Sequence, residues 1–161
     1  CFYNLQLHSS RELVLFHRQG KSCILLNYCG KYSFLKNELD SSEWKYVLPY
    51  IQKNRLLPFP PNDGLLSREW KYISHTLTFS NKQIRLIETA HPVDDLSGTL
   101  IITGNVFPQK LFQHINFTIQ AVFLDASNSF FCTREWEKYC KKRQIPLYKT
   151  EEKGCIRIPL L

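Results

Sequence analysis

The 161-residue sequence has no methionine and opens on Cys1, so it is expected to be a domain excised from a larger protein, with any targeting signal outside it. Long apolar runs are missing: stretches such as Leu100–Ile102 and Ala121–Leu124 fall far short of the ~20 residues a helix needs to cross a bilayer. A charged-then-apolar leader is also missing, so neither membrane insertion nor a membrane partner is expected. Zinc spacing is absent. Cys23-x5-Cys29 and Cys132-x7-Cys140 lack the short pairs of structural sites, and His8, His17, His75, His91 and His114 are scattered singly. No G-x-S-x-G elbow, P-loop, dinucleotide fingerprint or Cys-His dyad appears. These absences assign no catalytic residue, no metal and no cofactor. Asp63, Glu69 and Lys71 follow the order of a divalent-cation nuclease site, but they fall on a loop and a helix start instead of adjacent strands. Asp94-Asp95, after His91-Pro92, reads as a turn.

What is present is ordinary globular composition. Apolar residues make up 43% and charged residues 22%, enough for one domain spanning residues 1–161. Lys plus Arg number 21 against 14 Asp plus Glu, and the resulting +7 favours anionic partners through long-range attraction. The six cysteines are an even number, yet a domain of this size needs no staples, and Cys23, Cys132 and Cys140 sit beside apolar or aromatic residues. Reduced thiols are expected. Asn116-Phe117-Thr118 matches a glycosylation acceptor at the start of a strand.

Along the chain, the apolar runs at 12–18 and 22–28 flank Gln19-Gly20-Lys21 and form an antiparallel hairpin, with a further strand over Phe2–Leu7. Asp40-Ser41-Ser42-Glu43 has capping-box spacing and starts a helix from Ser41 to Lys53, with Trp44, Leu48 and Ile51 on its buried face. Pro49 predicts a kink or early break in it. The stretch at 56–64 is rich in proline and marks an internal boundary or a connecting loop. After a short helix at Ser67–Tyr72, the segments 75–80 and 83–88 alternate as a second hairpin. Strands follow at 98–106 and 116–125, the latter with Phe117, Ile119, Ala121 and Phe123 on one face. Thr133 caps a last helix to Lys142, and 155–161 closes as an edge strand interrupted by proline. The expected class is α+β: a mainly antiparallel, hairpin-built sheet, partly closed barrel or sandwich, with two or three short helices.

A Glu-Trp motif occurs at Trp44, Trp70 and Trp136, each time after Ser, Thr or Asp, which reads as three helix starts with tryptophan anchoring the core. The third copy carries Lys138, Lys141, Lys142 and Arg143, of which Lys138, Lys141 and Lys142 share a helical face, and the cationic run continues to Lys149. Basic charge with 14% aromatic residues suits single-strand binding, where bases stack on rings and cations track the backbone. The function expected is a non-catalytic binding module of a larger intracellular protein, nuclear or cytoplasmic. It contacts nucleic acid, or a protein that handles it, through a sheet face and Lys138, Lys141, Lys142, Arg143 and Lys149. The alternatives are a protein-protein scaffold with incidental charge and an extracellular domain with disulfides.

Overall fold

The structure, a computed structural model, describes residues 10–35, 40–59, 70–73, 76–79, 82–89, 97–112 and 118–160. The expected strand at Phe2–Leu7, the Asn116 acceptor and the proline-rich stretch from residue 60 onward lie outside them. One sheet contains β1 (Arg11–Phe16), β2 (Cys23–Tyr28), β3 (Lys31–Phe34), β4 (Leu57–Pro58) and β11 (Cys155–Pro159), in the order β11-β1-β2-β3-β4. The second contains β5 (Trp70–Ile73), β6 (Thr76–Phe79), β7 (Lys82–Ile87), β8 (Gly98–Ile102), β9 (Ile119–Leu124) and β10 (Leu147–Lys149), in the order β10-β9-β8-β7-β6-β5. The described helices are α1 (Ser41–Lys53), α2 (Pro108–Leu111), α3 (Phe130–Arg143) and α4 (Thr150–Lys153).

The two sheets face each other. Leu13, Leu15, Ile24, Leu26, Ile156 and Ile158 of the first pack with Leu77, Phe79, Ile84, Leu86, Ile101 and Phe123 of the second in one buried cluster. Their outer faces are covered by helices: Val14, Phe16 and Leu25 meet Val47, Tyr50 and Ile51 of α1, while Leu100, Ile102, Val122 and Leu124 meet Cys132, Trp136 and Cys140 of α3. The result is a helix-sheet-sheet-helix sandwich, and the α+β class stands. Residues on both sides of the proline-rich stretch share the inner core.

Both expected hairpins are present, β1-β2 and β6-β7, and β11 is an edge strand. The ladders β7-β8, β8-β9 and β9-β10 are parallel, which a hairpin-built sheet does not contain. Their sequence signature is burial on both faces: Leu100, Ile101 and Ile102, then Val122 and Leu124, are all nearly inaccessible, as strands covered by two layers must be.

Four local expectations change. Trp70 begins strand β5, paired with β6, and starts no helix. In α1 the buried face is Val47, Tyr50 and Ile51 with half-buried Trp44, while Leu48 is exposed, and the helix continues past the exposed Pro49 to Lys53. The α3 cap is Ser129, whose Oγ accepts from Cys132 N, so the helix begins before Thr133. Ile119 does not share a face with Ala121 and Phe123. The pairing of Gly98 with Ile119 and Thr99 with Ala121 skips Gln120, and this irregularity turns Ile119 toward the α3 layer.

Candidate nucleic-acid interface

Helix α3 is fixed by what it buries. Cys132, Trp136 and Cys140 recur every fourth residue against β8 and β9, and the indole Nε1 of Trp136 donates to Val106 O at 2.8 Å. Phe112 and Tyr139 close around the same indole edge-on, at 5.8 Å each. At the other end Gln144 adopts a left-handed conformation (φ 57°) and its N–H bonds back to the Cys140 and Lys141 carbonyls. With one face so anchored, the opposite face presents Phe131, Arg134, Lys138, Lys141 and Lys142, all exposed, at i, i+3, i+7, i+10 and i+11. The basic last turn also complements the helix dipole. Lys138 pairs with Glu135 at 2.7 Å in an exposed i, i+3 arrangement, and Arg143 lies over the Tyr139 ring at 4.9 Å. Among the described residues no acidic partner lies within ion-pair distance of Lys141 or Lys142.

Lys149 sits elsewhere. It closes β10 facing α3, bonded to Glu137 at 2.6 Å and Glu152 at 2.8 Å, with a side chain only 21% exposed. The Glu137 bond first, then that to Glu152, pushes its pKa up to about 12. It lines a polar crevice of about 590 Å³ where the carboxyl ends of β1, β8, β9 and β10 meet the start of α3. Asp125 organises that rim: its Oδ1 accepts from Ser127 N at 3.0 Å, Ser127 Oγ at 2.5 Å and Asn128 Nδ2 at 3.1 Å. His17 Nδ1 meets Thr150 Oγ1 at 3.3 Å on the opposite wall. With Asp125 and Glu151 lining it and Lys149 neutralised, the crevice is not where the excess positive charge collects.

A second concavity, about 450 Å³, runs along the outer edge of β11 over the uncovered end of the second sheet. Tyr148 stacks flat on Phe123 (4.9 Å between centroids, 16° between planes) and stays 39% exposed, with Lys153 Nζ 5.8 Å from its ring. Lys82 and Arg157 also line the concavity.

Three of the thiols are buried in the two outer helix layers. Burial pushes Cys23, Cys132 and Cys140 up to about 11, which keeps them protonated near neutrality. Cys23, Cys29, Cys132, Cys140 and Cys155 are free. Among the described residues no group of three His, Cys, Asp or Glu side chains is placed to hold a metal ion.

Comparison with protein families matches residues 8–160 to the ComEC C-terminal domain. The chain belongs to that family. No curated protein and no solved structure matches it. Membership makes the chain a domain related to a competence protein of DNA uptake, which is compatible with nucleic-acid handling. It also corrects the expected location. ComEC is a membrane competence protein, so this ComEC C-terminal domain is part of a membrane-associated protein and the nuclear or cytoplasmic assignment falls. No described helix is long and apolar enough to cross a membrane.

Of the site residues read from sequence, α3 brings Lys138, Lys141, Lys142 and Arg143 together, while Lys149 belongs to the crevice wall. Phe131 and Arg134 extend the same stripe. Their helical spacing was readable once the cap is moved to Ser129. Tyr148 had no local signal, because only its seat on Phe123 across the parallel ladder makes it a platform.

Proposed function

We propose that this ComEC C-terminal domain is a non-catalytic module that contacts single-stranded nucleic acid through the outward face of α3, with Lys138, Lys141 and Lys142 facing the phosphates and Arg143 adding its charge at the helix end. The observation that carries the reading is the exposed stripe of Arg134, Lys138, Lys141 and Lys142 along the whole helix, in a family tied to DNA uptake. The Lys138–Glu135 pair does not oppose it. An exposed ion pair is screened by solvent and weak, so a phosphate can take over the lysine at little cost. Lys149 makes no contact in this reading, its charge being held by Glu137 and Glu152.

The test is fluorescence anisotropy with short single-stranded DNA and RNA at two salt concentrations. The triple reversal Lys141→Glu, Lys142→Glu, Arg143→Glu should weaken binding by about tenfold or more and flatten the salt slope by roughly 2, for three lost phosphate contacts at about 0.7 each. Unchanged curves would remove α3 as the contact surface. A protein-facing role is the second reading, favoured by Phe130 and Phe131, which are 65% and 75% exposed side by side at the start of α3. Partner capture that survives high salt and nuclease, and is lost in Phe131→Ser, would select it.

A further inference from the structure

Resting on that nucleic-acid reading, we propose that Phe130 and Phe131, at the start of α3, are the base-stacking residues of the α3 site and make it selective for single strands over duplex. Both rings stand open, Phe130 at 65% and Phe131 at 75% exposure, although the same helix has a buried face that seats Cys132 and Trp136. They meet edge-on, with 6.0 Å between centroids and 73° between planes. The Arg134 guanidinium lies over the Phe130 ring at 5.2 Å, so that ring is braced before any ligand arrives. Phe131 lies on the exposed stripe itself. Arg134, Lys138 and Lys142 follow it, the cations at four-residue steps of about 6 Å along the axis. A strand laid along α3 therefore meets rings at one end and a cation at each step beyond them.

The angle between the rings prevents two bases from continuing one stack across both. Bases must splay to reach them, which a single strand does freely and a duplex does only by unpairing. The cations draw no such distinction, since both forms carry phosphates. Two other occupants fit this surface less well. A protein interface needs a wider apolar centre, and the other exposed large apolar side chains among the described residues, Tyr46, Leu48, Leu57 and Tyr148, belong to α1, β4 and β10. Phe130 instead shares the crevice rim with polar Asn105, Asn128, Ser129 and Thr133. Two phenyl rings are also too little for a bilayer, where even one myristoyl chain gives only marginal, reversible binding. Each ring matches the plane of one base, and the cations beside it match the charge of the linking phosphates.

The test measures anisotropy with a short single-stranded DNA and with the same sequence as a duplex, and reads stacking as quenching of one 2-aminopurine placed in the single strand. Wild type should favour the single strand. Phe130→Ala with Phe131→Ala should weaken single-strand binding by about tenfold or more and remove the quenching, with the salt slope and the duplex affinity unchanged. Phe130→Tyr with Phe131→Tyr should keep both the affinity and the quenching. Thermal melting of the two double variants checks that these exposed positions leave the fold intact. Base stacking is overturned if the alanine variant binds and quenches like wild type, or if it loses single strand and duplex equally. It is equally overturned if that variant loses a protein partner or anionic vesicles while its oligonucleotide affinity holds. The α3 reading fails separately: Lys141→Glu with Lys142→Glu should weaken both single strand and duplex, and unchanged affinity there excludes the cations whatever the rings do. Absence of any oligonucleotide binding to wild type overturns both.

Discussion

The first sheet takes β1, β2 and β3 from residues 11–34 by antiparallel pairing, whereas the second assembles β7, β8, β9 and β10 from residues 82–149 through parallel ladders. Hairpins return the chain locally, and the outer face of the first sheet is closed by α1 around an internal polar knot. There Asn27 Nδ2 donates to Glu12 Oε1 at 3.2 Å and Tyr50 Oη at 3.0 Å, and Tyr50 donates to Glu12 at 2.8 Å. Parallel strands all finish on one side, so their loops collect at one end and leave a crevice there. The α3 stripe lies on the second sheet, and the groove opens where that sheet meets the β11 edge. One half of the sandwich is closed against its helix; the other offers surfaces.

That contrast should break most visibly at Trp136. Its indole is wholly buried and hydrogen-bonded, so Trp136→Ala should cost about 3–5 kcal/mol in urea unfolding. A loss below about 1 kcal/mol would mean α3 is not anchored to the second sheet by this ring. A smaller effect separates two glycines. Gly98 (φ +94°) enters β8, and a Cβ there would meet Gln83 O at 2.6 Å, while Gly20 (φ +75°), between β1 and β2, has nothing within 4 Å. Both substitutions to alanine carry the cost of positive φ, but Gly98→Ala adds a backbone clash and should destabilise by at least ~1 kcal/mol more than Gly20→Ala. Equal losses would show that the close approach of β7 and β8 relaxes freely.

The smallest effects are two opposite pH signatures. On the side of the first sheet, the Ser42 hydroxyl, then Lys21, hold Asp40 down from 3.8 to about 2. Its contribution is present above pH 3.8 and lost as pH falls through about 2, so Asp40→Asn should flatten the acid limb of the melting-temperature profile. On the side of the second, Lys149 is raised from 10.5 to about 12, so its contribution is present below 10.5 and lost as pH rises through about 12. Lys149→Met should flatten only the alkaline limb. Either variant altering the other limb would show that the two regions do not titrate independently.

Much of this was legible residue by residue. The β1-β2 and β6-β7 hairpins follow from alternation and a short connection, and α1 from its Asp-Ser-Ser start. The parallel ladders were not legible, because a run such as Leu100–Ile102 records that both faces are covered and not by what. The three Glu-Trp copies looked alike, yet Trp136 is buried in a helix, Trp44 is half-buried and Trp70 starts a strand. Pairing with β6 overrode a local preference at the last of these. Of the five candidate cations, four share α3 because helical spacing alone puts them there. Lys149 is withdrawn because Glu137, twelve residues away in sequence, reaches it across the packed layers.

By itself the sequence determined the α+β composition, the positive balance, the hairpins and the basic face of the last helix, since each depends on spacing within one segment or on a sum over the chain. The tertiary structure alone decided which cations stay exposed, where Tyr148 finds its backing ring and which strands run parallel. These depend on segments distant in the chain being brought within a few ångströms, and no local pattern encodes that approach.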